Sequence, residues 1–153
     1  MPSLELKIPP PLVWLVFAAA MFGVAHVAPG YSHSLPVRIV LALALGTFGA
    51  AVALIGVASF HSKNTTVNPL TPSASSSVVS SGIYRISRNP MYLGLFLALC
   101  GWAVYLSNVV AALLLPVFLA YMTRYQIKPE ERALLAKFGP EFEQYMERVR
   151  RWV

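Results

Sequence analysis

Four apolar stretches dominate this chain, and each has about the length needed to cross a lipid bilayer. The first runs from about residue 10 to 28 and the second from about 36 to 60, and about 20 helical residues span a hydrocarbon core of about 30 Å. From 90 to 123 the sequence is apolar almost throughout, but Leu106-Ser107-Asn108 interrupts it. It therefore reads as two segments, about 90–106 and 107–123, joined by a tight turn. Only 12% of the residues are charged and the mean hydropathy is +0.62, whereas soluble domains carry about 25% charged residues. The pattern predicts an all-α integral membrane protein, with four transmembrane helices in two hairpins and a cytoplasmic amphipathic helical tail, all in one domain over residues 1–153.

The basic residues give an orientation. With four spans, eleven of the twelve Lys and Arg residues fall on one side, and only Arg38 falls on the other. Cationic loops stay in the cytoplasm, so both termini are expected there, in what reads as a bacterial inner membrane. Three spans would split the middle loop and the tail across the bilayer. The net charge of +6 is accounted for by juxtamembrane positions beside anionic lipid and calls for no nucleic acid. The first stretch is expected to remain in the mature protein, because Glu5 lies beside Lys7 ahead of it and no small-x-small cleavage site closes it.

Metal and disulfide chemistry find no support. Cys100 is the single cysteine, inside the third apolar segment, and His26, His33 and His61 lie far apart without the i, i+4 spacing of a helical metal site. The stretch from His61 to Ser81 is rich in Ser, Thr, Pro and Asn. Residues 72–77 read as linker, while 65–70 fit either a linker or a loop that orders over a ligand.

The tail is amphipathic. Leu134, Leu135, Phe138, Phe142, Tyr145, Met146 and Val149 recur at spacings of three and four. Gly139-Pro140 should divide it into helices of about 129–138 and 140–150. An interfacial helix pair anchored by Arg150, Arg151 and Trp152 would explain most of this pattern. Glu130 and Glu131 stand in the first turn, where carboxylates complement the helix dipole; alternatively, one of them meets a cation.

The most distinctive run is Gly82-Ile83-Tyr84-Arg85-Ile86-Ser87-Arg88-Asn89-Pro90-Met91-Tyr92-Leu93-Gly94. It sets arginines, an asparagine and tyrosines at the mouth of an apolar segment. These could be membrane anchors and a helix start, or a binding site. A hairpin would return this run and Glu130-Glu131 to the same surface, where carboxylates facing arginines make a pocket suited to a zwitterion.

Taken in order, Gly-x-Tyr-Arg-x-x-Arg-Asn-Pro-Met-Tyr-x-Gly, an apolar hairpin, Glu-Glu-Arg-x-Leu, Phe-Gly-x-x-Phe-x-x-Tyr and a basic Val-Arg-Arg end resemble the isoprenylcysteine carboxyl methyltransferase and phospholipid methyltransferase superfamily of integral membrane enzymes. The resemblance covers about residues 65–153. It implies an S-adenosyl-L-methionine-dependent methyltransferase working on a lipophilic or amphipathic acceptor that enters from the lipid bilayer. Isoprenylcysteine-like O-methylation is the nearest family activity; phospholipid or small-amine N-methylation, or a non-catalytic membrane module retaining the fold, are the alternatives.

Carried over by position, Val78, Val79, Tyr84, Asn89, Pro90, Met91 and Tyr92 fall on the family's cofactor-contacting run. Glu130 or Glu131 falls on its acidic contact, Arg124 lies near its substrate-side arginine, and Arg88 is the motif's candidate to pair with a carboxylate. Many members carry His where this chain has Asn89, and asparagine cannot titrate. Methyl transfer from a sulfonium asks the protein mainly to align reactants and exclude water. No base is evident in the motif, which favours carboxylate or thiolate acceptors over amines.

Overall fold

The computed structural model describes residues 5–31, 34–62, 72 and 75–153. The 65–70 stretch therefore lies outside the described residues, as do residues 73 and 74 of the 72–77 stretch. Among the described residues the structure is all-helical: α1 (Pro10–Val27), α2 (Leu35–Ser62), a 3-10 turn (Gly82–Arg85), α3 (Pro90–Leu106), α4 (Val109–Ala112), α5 (Leu114–Met122), a π turn (Thr123–Ile127), α6 (Lys128–Phe138) and α7 (Pro140–Arg148). Helix α1 begins at Pro10, and α3, α6 and α7 also open with a proline at their first or second position. There the missing N–H is no loss.

The apolar run 90–123 turns back at Ser107, which adopts the left-handed conformation (φ 50°). Asn108 caps the next helix by accepting a hydrogen bond from the Ala111 N–H at 2.9 Å, and its side-chain amide donates to the Ala28 carbonyl at 2.9 Å. Tyr31 N–H donates to the Ser107 carbonyl at 2.9 Å, so the α1–α2 connection and the hairpin turn close one end of the bundle together.

From Val109 to Phe138 the chain stays helical with no break between the fourth apolar segment and the tail. Where the sequence suggested a span of 107–123 and a separate tail from 129, α5 instead runs through the π turn into α6. Three helical stretches, Pro10–Val27, Leu35–His61 and Val109–Phe138, are long and apolar enough to cross a membrane, while Pro90–Leu106 has 17 residues, about 26 Å of helix. At 1.5 Å per residue, about 20 residues of the last helix would suffice to cross a hydrocarbon core.

Helix α2 packs on α3 along a seam of small residues. A Cβ added to Gly94 would lie 2.4 Å from the Gly49 carbonyl oxygen and 2.8 Å from Ala53 Cβ, and one added to Gly101 would lie 2.8 Å from the Ala42 carbonyl. Apolar side chains gain little by leaving lipid for each other, so close backbone approach through such residues is what holds these helices. The small-residue run 46–53 thus packs within the chain at Gly49 and Ala53. On the other side of α3, Trp14 Nε1 donates to the Leu95 carbonyl and Trp102 Nε1 to that of Ala18, both at 3.0 Å, and Met21, Leu99, Phe118 and Met122 form a fully buried core.

Overpacking a tight site costs about 1–3 kcal/mol. Gly94→Val should lower the thermal midpoint of the detergent-purified protein by roughly 5 °C or more. Gly23→Val, where an added Cβ meets nothing within 4 Å, should leave it nearly unchanged.

Candidate functional site

The end of the bundle opposite the Ser107 turn carries a cavity that is partly open to solvent. Five segments build it: Phe60 at the end of α2, the extended stretch 75–79, the turn and first residues of α3, α6, and α7. Of the residues expected from sequence, Val78, Val79, Tyr84, Arg88, Asn89, Met91, Tyr92, Glu130 and Glu131 line it. Pro90 is fully buried beneath as the first residue of α3.

The two glutamates differ sharply. Glu131 Oε1 accepts from Arg88 Nη2 and Oε2 from Arg151 Nη2, each at 2.7 Å. Arg88 also donates Nη1 to the Met146 and Val149 carbonyls at 2.7 and 3.1 Å, and its backbone N–H donates to the Arg150 carbonyl at 3.0 Å. Arg88 is thereby a cross-link between α3, α6 and the segment following α7. The ion pair with Glu131 raises the Arg151 pKa. Asn89 joins the same fastening, its side-chain amide donating to the Arg151 carbonyl at 2.9 Å.

Glu130 has no cation within ion-pair distance among the described residues. Its Oε1 accepts a hydrogen bond from the Tyr92 hydroxyl. Loss of hydration raises the Glu130 pKa to about 8, with the neighbouring Glu131 charge adding to the rise and the Tyr92 bond opposing it. Three further buried polar atoms at or beside the cavity, Ser77 Oγ, Tyr84 Oη and Arg88 Nε, have no hydrogen-bond partner among the described residues. The walls are otherwise apolar and aromatic: Phe60 meets Tyr84 edge-on at 5.4 Å between ring centroids.

Arg124 is elsewhere. It is more than half exposed and pairs with Glu5 at 2.5 Å, outside the lining. The expected membrane anchor also takes another form. Arg151 holds Glu131, and Trp152 Nε1 donates to Thr123 Oγ1 at 3.2 Å. The apolar face of α7, which sequence offered to the interface, buries Phe142 and Tyr145 against Val79 and Tyr84, with the Tyr145 hydroxyl donating to the Tyr84 carbonyl at 2.7 Å. Phe142, Tyr145 and Arg151 are site-building residues that sequence reasoning missed as such. Their signal was present in Phe-Gly-x-x-Phe-x-x-Tyr and Val-Arg-Arg but was read as amphipathic patterning.

Residues 37–141 match the family model for phospholipid methyltransferase. The chain belongs to that family. This phospholipid methyltransferase family member is 41% identical over 63 residues to an uncharacterized protein of Haemophilus influenzae, covering 41% of this chain and all of that one. It is 36% identical over 72 residues to the protein-S-isoprenylcysteine O-methyltransferase of Schizosaccharomyces pombe, covering 47% of this chain but only 30% of that relative. No solved structure matches it significantly. The protein is thus an integral membrane member of a methyltransferase family, and among the described residues no group of three or more His, Cys, Asp or Glu could hold a metal ion.

A carboxyl whose folded pKa is raised keeps its proton in the folded state while the unfolded chain loses it, so stability is full below the ordinary value of 4.5 and is lost as pH rises to about 8. The thermal midpoint should fall across that window, and Glu130→Gln should flatten most of the slope. An equal slope in both proteins would contradict the assignment.

Proposed function

We propose that the cavity binds S-adenosylmethionine and that the protein transfers its methyl group to a lipophilic or amphipathic acceptor reaching the site from the bilayer. The observation that carries this reading is Glu130, a carboxyl group on the wall of a cavity in a methyltransferase-family chain, hydrogen-bonded to Tyr92 and with no cation beside it among the described residues. The chemistry of the lining fits the cofactor. Glu130 offers a counter-charge for its cationic part, Arg88 Nε and the Tyr84 and Ser77 hydroxyls offer unused polar groups for its carboxylate and ribose, and Phe60, Tyr84 and Phe142 offer aromatic surface for the base. When bound, the cofactor supplies an electrophilic methyl group on a sulfonium that becomes neutral on transfer. The protein's residues then bind, orient and exclude water, which is where the rate enhancement of such a displacement arises.

Both arginines considered for an anionic acceptor are already committed, Arg88 to Glu131 and two carbonyls, Arg124 to Glu5. That favours an uncharged or amine acceptor over an anionic one. The concentration of basic residues on one side supports a cytoplasmic location for the cavity and both termini.

A cation binds the ionised form of Glu130, so affinity for S-adenosylmethionine should rise as pH increases from 6 towards 9. Calorimetric titration at pH 7 in buffers of different ionisation enthalpy should show up to about one proton released per site. Glu130→Gln should abolish that release, and Tyr92→Ala should weaken binding roughly tenfold or more. Failure of the wild-type protein to bind in lipid as well as in detergent would instead favour a non-catalytic module.

A further inference from the structure

Helix α6 enters the cavity immediately after the π turn Thr123–Ile127. A π turn inserts one extra residue into a helix, and one residue corresponds to about 100° of rotation and 1.5 Å of rise. The turn therefore sets which way Glu130 and Glu131 face relative to the membrane helix that carries them. Such a turn is not self-sustaining, because its hydrogen bonding is poorer than that of the α-helix around it. Here the turn is held from outside. Leu6 N–H donates to the Tyr125 carbonyl at 3.0 Å, Gln126, fully buried, donates Nε2 to the Ile8 carbonyl at 2.7 Å, and Glu5 bridges Arg124 and Arg132, one residue inside the turn and one a full turn of α6 beyond it. Leu6 itself sits at φ 56°, a conformation a leucine adopts only when its surroundings impose it.

We propose that residues 5–8 are a register clamp, with Glu5 and Gln126 as positioning residues that keep the π turn in place and so turn Glu130 onto Tyr92 and Glu131 onto Arg88. The consequence for cofactor binding rests on the function proposed above; the geometric claim does not. The clamp is electrostatic at its outer end, where the hydrogen bond from Arg124, with the charge of Arg132, holds the Glu5 carboxyl below its ordinary pKa.

The register can be read directly. In a Cys100→Ala background, Tyr92→Cys and Glu130→Cys place thiols on the two residues now in contact, for a short bifunctional thiol reagent to join. Deleting Tyr125 removes the extra residue, so a plain α-helix carries residue 130 to the same face; cross-linking should persist there and no longer depend on Glu5. Glu5→Arg should reduce it about threefold, the scale of one exposed ion pair, and adding Arg124→Glu and Arg132→Glu should restore it by reversing the charges. Gln126→Met should reduce it as well, at a thermal midpoint close to that of the parent. Should the deletion variant fail to fold, the Glu5 series and Gln126→Met still decide. Unchanged cross-linking in Glu5→Arg and Gln126→Met, or no recovery on charge reversal, would overturn the clamp. S-adenosylmethionine affinity, measured alongside in the same variants with residues 92 and 130 native, should follow the cross-linking; if the wild type binds none while cross-linking responds as described, the clamp stands and the cofactor assignment fails.

Discussion

The ion pairs of Glu131 with Arg88 and Arg151 are the interaction on which the site depends. They join the start of α3, the first turn of α6 and the segment after α7, three pieces separated by 43 and 20 residues in the chain. Both Glu131 and Arg88 are largely shielded, with side chains 13% and 10% exposed. Removing one member of such a pair typically costs about 3–5 kcal/mol, chiefly because its partner is left buried and uncompensated. The cavity is thus closed by charge at one point and by the Tyr84, Phe142 and Tyr145 cluster at another.

With Glu131 neutralised by two guanidinium groups, the acidic pair divides its labour. One carboxylate is structural and the other faces the cavity beside Tyr92. This division also disposes of Arg88 as a free cation, since its two terminal nitrogens hold Glu131 and the carbonyls at the end of α7. The same arginine that looks available in a linear motif is consumed in the fold. What remains at the cavity among the described residues is the Glu130 carboxyl and a few unpartnered polar atoms in an apolar shell, a combination suited to a ligand that is both cationic and amphipathic.

Much of this was legible in the sequence because membrane helices advertise themselves through length and composition, and because Pro90, the Leu106–Asn108 interruption and Gly139-Pro140 mark helix ends by mechanisms that act locally. The lining residues of the 78–92 run were legible as a motif. The differing roles of Glu130 and Glu131 were not, since adjacent helical residues differ by about 100° in direction and only the position of Arg151, 20 residues on, decides which is paired. Arg124 was misleading for a related reason: the π turn before α6 changes the facing of everything near it, and no residue type signals that turn. The apolar face of α7 carried an ambiguous pattern, equally suited to lipid and to protein, and the choice fell to Val79 and Tyr84, more than 50 residues earlier in the chain.

The most direct test of the account is amide hydrogen exchange across residues 78–92 and 140–152 in the wild-type protein and in Glu131→Gln, in lipid nanodiscs. If one ion-pair network closes the cavity, exchange should accelerate in both segments together while α1 and the α2–α3 seam stay protected. Acceleration confined to the first turn of α6, with residues 78–92 and 140–152 as protected as before, would contradict it.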